Sequence, residues 1–292
     1  PGGSPVGIYS ELGEMFRAGE ASFRNVVVFS LDEFYGISKE AQQSRNFRIH
    51  EEFLEYVNVR PENIYIPDSS VPVDKVSQYC HDYEAKIAEV GGLDLMLLGV
   101  GSKGQIGFNE AGSYSNSKTR MVALSNASIQ EEASAFASIK DVPTKAITMG
   151  IGTILSAKQI VLVAWGENKA SVIGRVIEGA IDPMCPATYL QNHNNIEVVI
   201  DEEAAEELTR EKAPWLVGTC DWSPKFIRKA VIWLAMKTQK PILKLTYKDY
   251  IDNSLGQLLE AEGTFDAINI KVFNDLQHTI SGWPGGKPNA DD

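Results

Sequence analysis

The chain has 292 residues, with 27 basic and 39 acidic side chains and a net charge of −12 with histidine neutral. That acidic balance excludes non-specific binding to nucleic acid or to an anionic membrane, both polyanions, but leaves room for a local basic pocket for one phosphate. An apolar content of 43% against 23% charged excludes wholesale disorder, and the length predicts one large domain or two ordinary ones. No apolar run approaches the ~18 residues of a membrane span, and no signal peptide is visible. Cys80, Cys185 and Cys220 are widely spaced and odd in number, so they make neither a disulfide framework nor a metal cluster. They predict a reducing, cytoplasmic setting.

Pro1-Gly2-Gly3-Ser4-Pro5 reads as a turn entering a helix with no strand ahead of it, as if the chain began in mid-domain. Residues 26–31 are β-branched and nearly continuously apolar, as a strand covered on both faces should be. Asp32-Glu33-Phe34-Tyr35-Gly36 follows at its carboxyl end. A helix is predicted over 73–90, with Val73, Val76, Tyr79, Cys80, Tyr83 and Ile87 at helical spacing and Gly91-Gly92 as its stop. Residues 93–98 form the next strand, and 146–149, 160–164 and 197–200 three more. Helices are predicted over 169–181 and from Asp201. Such alternation predicts an α/β fold, a doubly wound, mostly parallel, Rossmann-like sheet with helices on both faces.

A seam at Ala213-Pro214 divides a first domain, 1–212, from an α/β extension packed on it, 213–281. Ser223-Pro224 supplies an N-cap and an N1 proline for a helix carrying Ile227, Val231, Leu234 and Met236. Residues 282–292 have the composition of a linker or tail.

In an open parallel sheet, ligands bind beyond the carboxyl ends of the strands. Three segments sit there: 32–36, the glycine-rich 99–110, and Gly166-Glu167-Asn168-Lys169. Gly99, Gly101 and Gly104 fit G-x-G-x-x-G, but they run into Gly107 and Gly112 rather than opening a helix. No ribose-binding acid follows at the required distance, since that region reads Lys118-Thr119-Arg120. Gly2, Gly3 and Ser4 could cradle a phosphate at a helix N-terminus, although a helix-entry turn needs the same residues. Lys169 opposes the dipole of the helix it begins, which favours an anion beside it. Asp32 and Glu33 could be ordinary loop acids, but a strand's carboxyl end is where acid–base chemistry is placed. The four histidines form no metal-ligand spacing.

Taken in order, these segments resemble the glucosamine-6-phosphate deaminase family. The family's T-G-G-T-P phosphate loop is Pro1-Gly2-Gly3-Ser4-Pro5, its M-D-E-Y is Leu31-Asp32-Glu33-Phe34, and its G-V-G-x-D-G-H-I-A-F-N-E-P is Gly99-Val100-Gly101-Ser102-Lys103-Gly104-Gln105-Ile106-Gly107-Phe108-Asn109-Glu110-Ala111. The resemblance runs on through Gly150-Ile151-Gly152-Thr153 and Gly166-Glu167-Asn168-Lys169 to about Glu207. From Pro214 the chain resembles a longer subfamily in which a deacetylase-like, metal-dependent half follows the deaminase-like half.

The resemblance implies conversion of glucosamine 6-phosphate and water to fructose 6-phosphate and ammonia, with no metal or cofactor in this part of the chain. Asp32 would carry the proton between C2 and C1, and Glu110 would belong to the ring-opening group. Gly2, Gly3, Ser4 and Lys169 would hold the phosphate, and Glu33, Gly101 and Asn109 would line the sugar loop. It implies a small sugar-phosphate ligand, no nucleic-acid or membrane partner, room for a homo-oligomer, and a deacetylase-like domain in a longer chain.

Two departures fall inside the ring-opening group. Lys103 stands where the family has Asp, and Gln105 where it has His. Glutamine can hydrogen-bond a ring oxygen but cannot exchange a proton near neutral pH. The family's phosphate arginine falls near Ser134. Arg120 matches an allosteric-phosphate position whose neighbouring lysine is here Val122. The readings left open are a deaminase with altered ring opening, a sugar-phosphate sensor without chemistry, a scaffold for a deacetylase-like partner, and the related 6-phosphogluconolactonase, which shares the fold and also uses a histidine at the Gln105 position.

Overall fold

The computed structural model describes residues 5–281. The phosphate contacts expected of Gly2, Gly3 and Ser4, and the 282–292 tail, therefore lie outside the described residues. The chain divides into two compact units, Pro1–Glu206 and Glu207–Asp292.

The first unit opens with α1 (Val6–Arg17), followed by β1 (Val28–Phe29), β2 (Asp32–Phe34) and α2 (Arg45–Glu52). Next come β3 (Ile64–Tyr65), α3 (Val76–Glu89), β4 (Leu95–Gly99), β5 (Arg120–Ala123) and α4 (Asn126–Glu132). The unit ends with β6 (Lys145–Thr148), α5 (Ile151–Ile154), β7 (Gln159–Ala164), α6 (Ala170–Glu178), β8 (Ile196–Ile200) and α7 (Glu202–Ala205). It is a doubly wound α/β fold, with β1 parallel to β3 and the order β4-β7-β8 parallel throughout. The third group, β2-β6-β5, is antiparallel, which the alternating pattern did not predict.

Central β7 buries Ile160, Leu162, Val163 and Ala164, as its unbroken apolar run requires, whereas β8 alternates half-buried and exposed positions. Helix α3 buries Val76, Cys80, Tyr83 and Ile87, the stripe read from the sequence, but Val73 precedes the helix and is exposed. The strand expected over 26–31 is short, and the pairing resumes at Asp32. The segment read as a loop is thus itself β2, with Asp32 opposite Thr148 and Glu33 opposite Ile147.

Between β6 and α5 the chain passes under residues 117–118 so closely that a Cβ at Gly150 would overlap the Ser117 carbonyl. Gly150→Ala is expected to cost about 2–3 kcal/mol, the upper end for overpacking, because backbone rather than a pliable side chain must yield. Chemical denaturation measures it. A cost below ~1 kcal/mol would mean that the 117–118 segment moves aside freely.

The second unit is a correction. Its described residues hold helices and short 3₁₀ turns but no strand, not the expected α/β extension. They form α8 (Thr209–Lys212), α9 (Pro224–Thr238), α10 (Tyr247–Asp252), α11 (Gly256–Glu262) and α12 (Phe265–Ser281). Ser223 caps α9 as predicted, its hydroxyl accepting from the Phe226 N–H, and Ile227, Ala230, Val231 and Leu234 face the core of the unit. Among the described residues no helix is long and apolar enough to cross a membrane.

Candidate active site

The parallel strands send three connections out at one edge. Gly99 pairs with Val163 and Ala164 with Ile200, so the 99–110 loop, the Gly166–Lys169 turn and Asp201 all leave the carboxyl ends of neighbouring strands. Asp201 fastens the turn. Its carboxylate accepts from the Gly166 N–H at 2.9–3.0 Å and from the Ala204 N–H at 2.8 Å. Gly166 has φ +87°, a left-handed conformation that suits glycine. Lys169 is partly exposed just before α6, and no carboxylate lies within ion-pair distance among the described residues.

Asp32 is 5% exposed. Its Oδ1 has no hydrogen-bond partner and lies 3.4 Å from Nε of Arg45. The glycine-rich loop passes directly over this carboxylate. Gly107 has φ +54°, and a Cβ there would meet Oδ2 of Asp32 at 3.1 Å and the Thr148 hydroxyl at 2.9 Å. The loop is pinned to β6, where the Phe108 N–H donates to the Thr148 hydroxyl at 3.3 Å and Asn109 donates to the Met149 carbonyl at 2.7 Å.

Arg45 was not singled out from the sequence, yet it is 7% exposed at the first position of α2. Its Nη2 donates to Glu132 at 2.7 Å, and the guanidinium lies 4.8 Å from the Phe34 ring centre and 5.4 Å from that of Phe108. Burial pulls the guanidinium pKa down, but the carboxylates of Asp32 and Glu132 outweigh it, so the group is held above its ordinary value. A signal for it existed. A cation in the first turn opposes the helix dipole, the reasoning applied to Lys169.

Glu33 and Asn109, expected at the sugar loop, are both buried and make internal hydrogen bonds. Glu33 is 1% exposed and caps α2, accepting from the backbone N–H groups of Phe34, Arg45 and Asn46 and from the Ser44 hydroxyl, all at 2.8–3.0 Å. Asn109 is fully buried between the Ile106 and Met149 carbonyls and Nη1 of Arg120, which it meets at 2.9 Å. Arg120 also donates to the Ser113 hydroxyl at 3.2 Å, and burial lowers its pKa.

The altered pair behaves unequally. Lys103 is exposed and, among the described residues, engages the site through its backbone N–H, which donates to Oε1 of Gln105 at 3.1 Å. The Gln105 side chain folds back over Gly101, where any Cβ would overlap its amide. Gly101 thus serves packing within the loop. Nε2 of Gln105 donates to Glu131 at 2.5 Å. Glu110 accepts from the Ser125 N–H at 3.1 Å through both oxygens, at the start of α4. One short helix therefore touches Glu110 at its N-terminus, Gln105 through Glu131, and the Arg45–Asp32 pair through Glu132. Sequence reasoning missed both α4 acids. Ser134 falls in the 3₁₀ turn just after them.

Residues 1–200 match the family described as glucosamine-6-phosphate isomerases/6-phosphogluconolactonase. A glucosamine-6-phosphate deaminase-like protein of Bacteroides thetaiotaomicron is 50% identical over 293 residues; the match covers 100% of this chain but 44% of that protein, so the chain spans less than half of it. Glucosamine-6-phosphate deaminase of Halothermothrix orenii is 42% identical over 207 residues, 71% of this chain and 85% of the relative. Among solved structures, a monomeric glucosamine-6-phosphate deaminase superposes with a TM-score of 0.68 at 37% identity, covering 71% of this chain and 85% of its own. The 6-phosphogluconolactonase of Thermotoga maritima, TM-score 0.54 at 18% identity over 68% and 81%, shares the fold. With the match spanning the glycine-rich loop, β2 and the Gly166–Lys169 turn, the chain belongs to the glucosamine-6-phosphate isomerase/6-phosphogluconolactonase family.

Proposed function

We propose that the first unit is an aminosugar-phosphate deaminase that converts glucosamine 6-phosphate and water to fructose 6-phosphate and ammonia, with an altered ring-opening group. The observation that carries this reading is Asp32, a buried carboxylate with one oxygen unpartnered, at the first residue of β2 just beyond β1 and beneath a glycine-rich loop. The reaction needs a carboxylate to take the proton from C2 and return it at C1, and burial away from water favours that transfer over loss to solvent. In this reading Asp32 is the proton carrier and Arg45 positions it. Lys169, with no ion-pair partner among the described residues, grips the phosphate together with Gly2, Gly3 and Ser4.

One observation favours a second reading, a sensor that binds the sugar phosphate without turning it over. Gln105, at the histidine position, is tied to Glu131 and has no proton to exchange. Ammonia release from glucosamine 6-phosphate by the full chain decides between them. Ammonia supports the deaminase, whereas tight binding without ammonia selects the sensor.

Lys169→Ala is expected to weaken glucosamine 6-phosphate binding by roughly 1.5–3 kcal/mol, the scale of hydrogen bonds to charged groups. Calorimetry measures it, and unchanged affinity would remove Lys169 from the phosphate site. The stretch from Pro214 onward supports a further proposal, that this unit works beside a deacetylase-like domain in a longer cytoplasmic protein.

A further inference from the structure

We propose that Glu131 is the proton-transfer group for sugar ring opening in this chain, taking over the work of the missing Asp and His. This rests on the deaminase pocket proposed above, but concerns only its first chemical step.

Three observations converge. Glu131 is the carboxylate actually in contact with the position where the family places its imidazole, since Nε2 of Gln105 donates to its Oε2 at 2.5 Å. Its other oxygen faces the same loop, accepting from the Ser102 N–H at 3.4 Å. The neighbouring candidates are placed or suited differently. Glu110 meets the Ser125 N–H and has no hydrogen bond to Gln105 among the described residues, Lys103 is an exposed cation, and Gln105 cannot titrate. Glu131 is exposed, so turning one oxygen toward a bound sugar costs little desolvation, and Gln105 remains to orient it. A glutamine at 105 thus suits a site whose proton carrier sits one residue further out.

Ring opening needs no redox partner. The Glu131 carboxylate takes the proton of the anomeric hydroxyl on C1. The electron pair of that O–H bond becomes the second bond of the C1 carbonyl, the bond from C1 to the ring oxygen breaks, and its electron pair goes to the ring oxygen. The carboxyl then returns the proton to that oxygen. Atoms balance, and the product is the open-chain aldehyde. Both oxygens are bonded to C1, so one carboxyl with two oxygens can serve them in turn.

The test reads ring opening apart from deamination. Opening followed by reclosure interconverts the α and β anomers, which exchange NMR follows on glucosamine 6-phosphate itself. The full chain is expected to accelerate that exchange, Glu131→Gln to lose the acceleration by at least about tenfold, and Glu131→Asp to keep part of it. The acid limb of the parent's rate–pH profile should vanish in Glu131→Gln, an effect that a merely structural role would not produce. Glutamine at 131 can still accept the Gln105 amide hydrogen, and calorimetry on the same samples confirms that the sugar phosphate binds. Glu131→Gln with the parent's exchange rate, or a parent that binds without accelerating exchange, overturns the proposal. Glu131-dependent exchange without ammonia leaves it standing while the deaminase reading fails. Ammonia release by the parent together with an unchanged exchange rate in Glu131→Gln does the reverse.

Discussion

Arg45→Met is expected to destabilise the first unit by about 3–5 kcal/mol, the range for removing one partner of a buried ion pair. Methionine nearly refills the space against Phe34 and Phe108, so little of the loss comes from a cavity. The cost is electrostatic. Asp32, 5% exposed and already without a hydrogen bond on Oδ1, loses the cation 3.4 Å away, and Glu132 loses a 2.7 Å donor. At ~2–4 °C per kcal/mol for a unit of this size, the midpoint should fall by roughly 6–20 °C. Adding Asp32→Asn should recover part of the stability, because the uncompensated buried charge is then gone, and the double-mutant cycle isolates that coupling. A loss below ~1 kcal/mol, or no recovery in the double variant, would show that the pair merely offsets its own desolvation.

The second large effect is a gain. The double variant Lys103→Asp, Gln105→His is expected to release ammonia from the cyclic sugar at least about tenfold faster than the parent, since positioned acid–base assistance is worth ~10²–10⁴-fold. An imidazole at 105 inherits Glu131 as an orienting carboxylate, and the carboxylate introduced at position 103 supplies a second. Asp32→Asn in that background should abolish the gain, because no carboxylate remains to move the C2 proton. A double variant that binds sugar phosphate yet stays silent would place the defect elsewhere and favour the sensor. A parent that already matches it would show that ring opening is no bottleneck, the outcome expected where Glu131 is fully effective.

What was legible in the sequence followed local rules. The α3 stripe at Val76, Cys80, Tyr83 and Ile87 is a period that burial imposes directly, and Ser223-Pro224 announces α9 by capping chemistry. The candidate loops were legible because strand ends fix where they emerge. What escaped depends on distant partners. Asp32 and Glu33 read as loop because two acids do not suggest a buried strand, yet the N-terminus of α2 and Arg45 make that burial tolerable. The pairing of Arg45 with Glu132 spans 87 positions, and no local pattern encodes it.

Helix α4 has seven residues, well below the ~12–15 at which an isolated helix persists in water. Its order therefore comes from the contacts around it: Ile129 against the Phe34–Phe108 cluster, Glu110 on the N–H of the N-cap Ser125, Gln105 through Glu131, and Arg45 through Glu132. A ligand that draws Glu110 or Glu131 away must loosen the helix, unless it supplies equivalent bonds itself. Amide-hydrogen exchange over residues 126–132 would then report occupancy of the site without any turnover, with the helix acting as a built-in gauge of what the pocket holds.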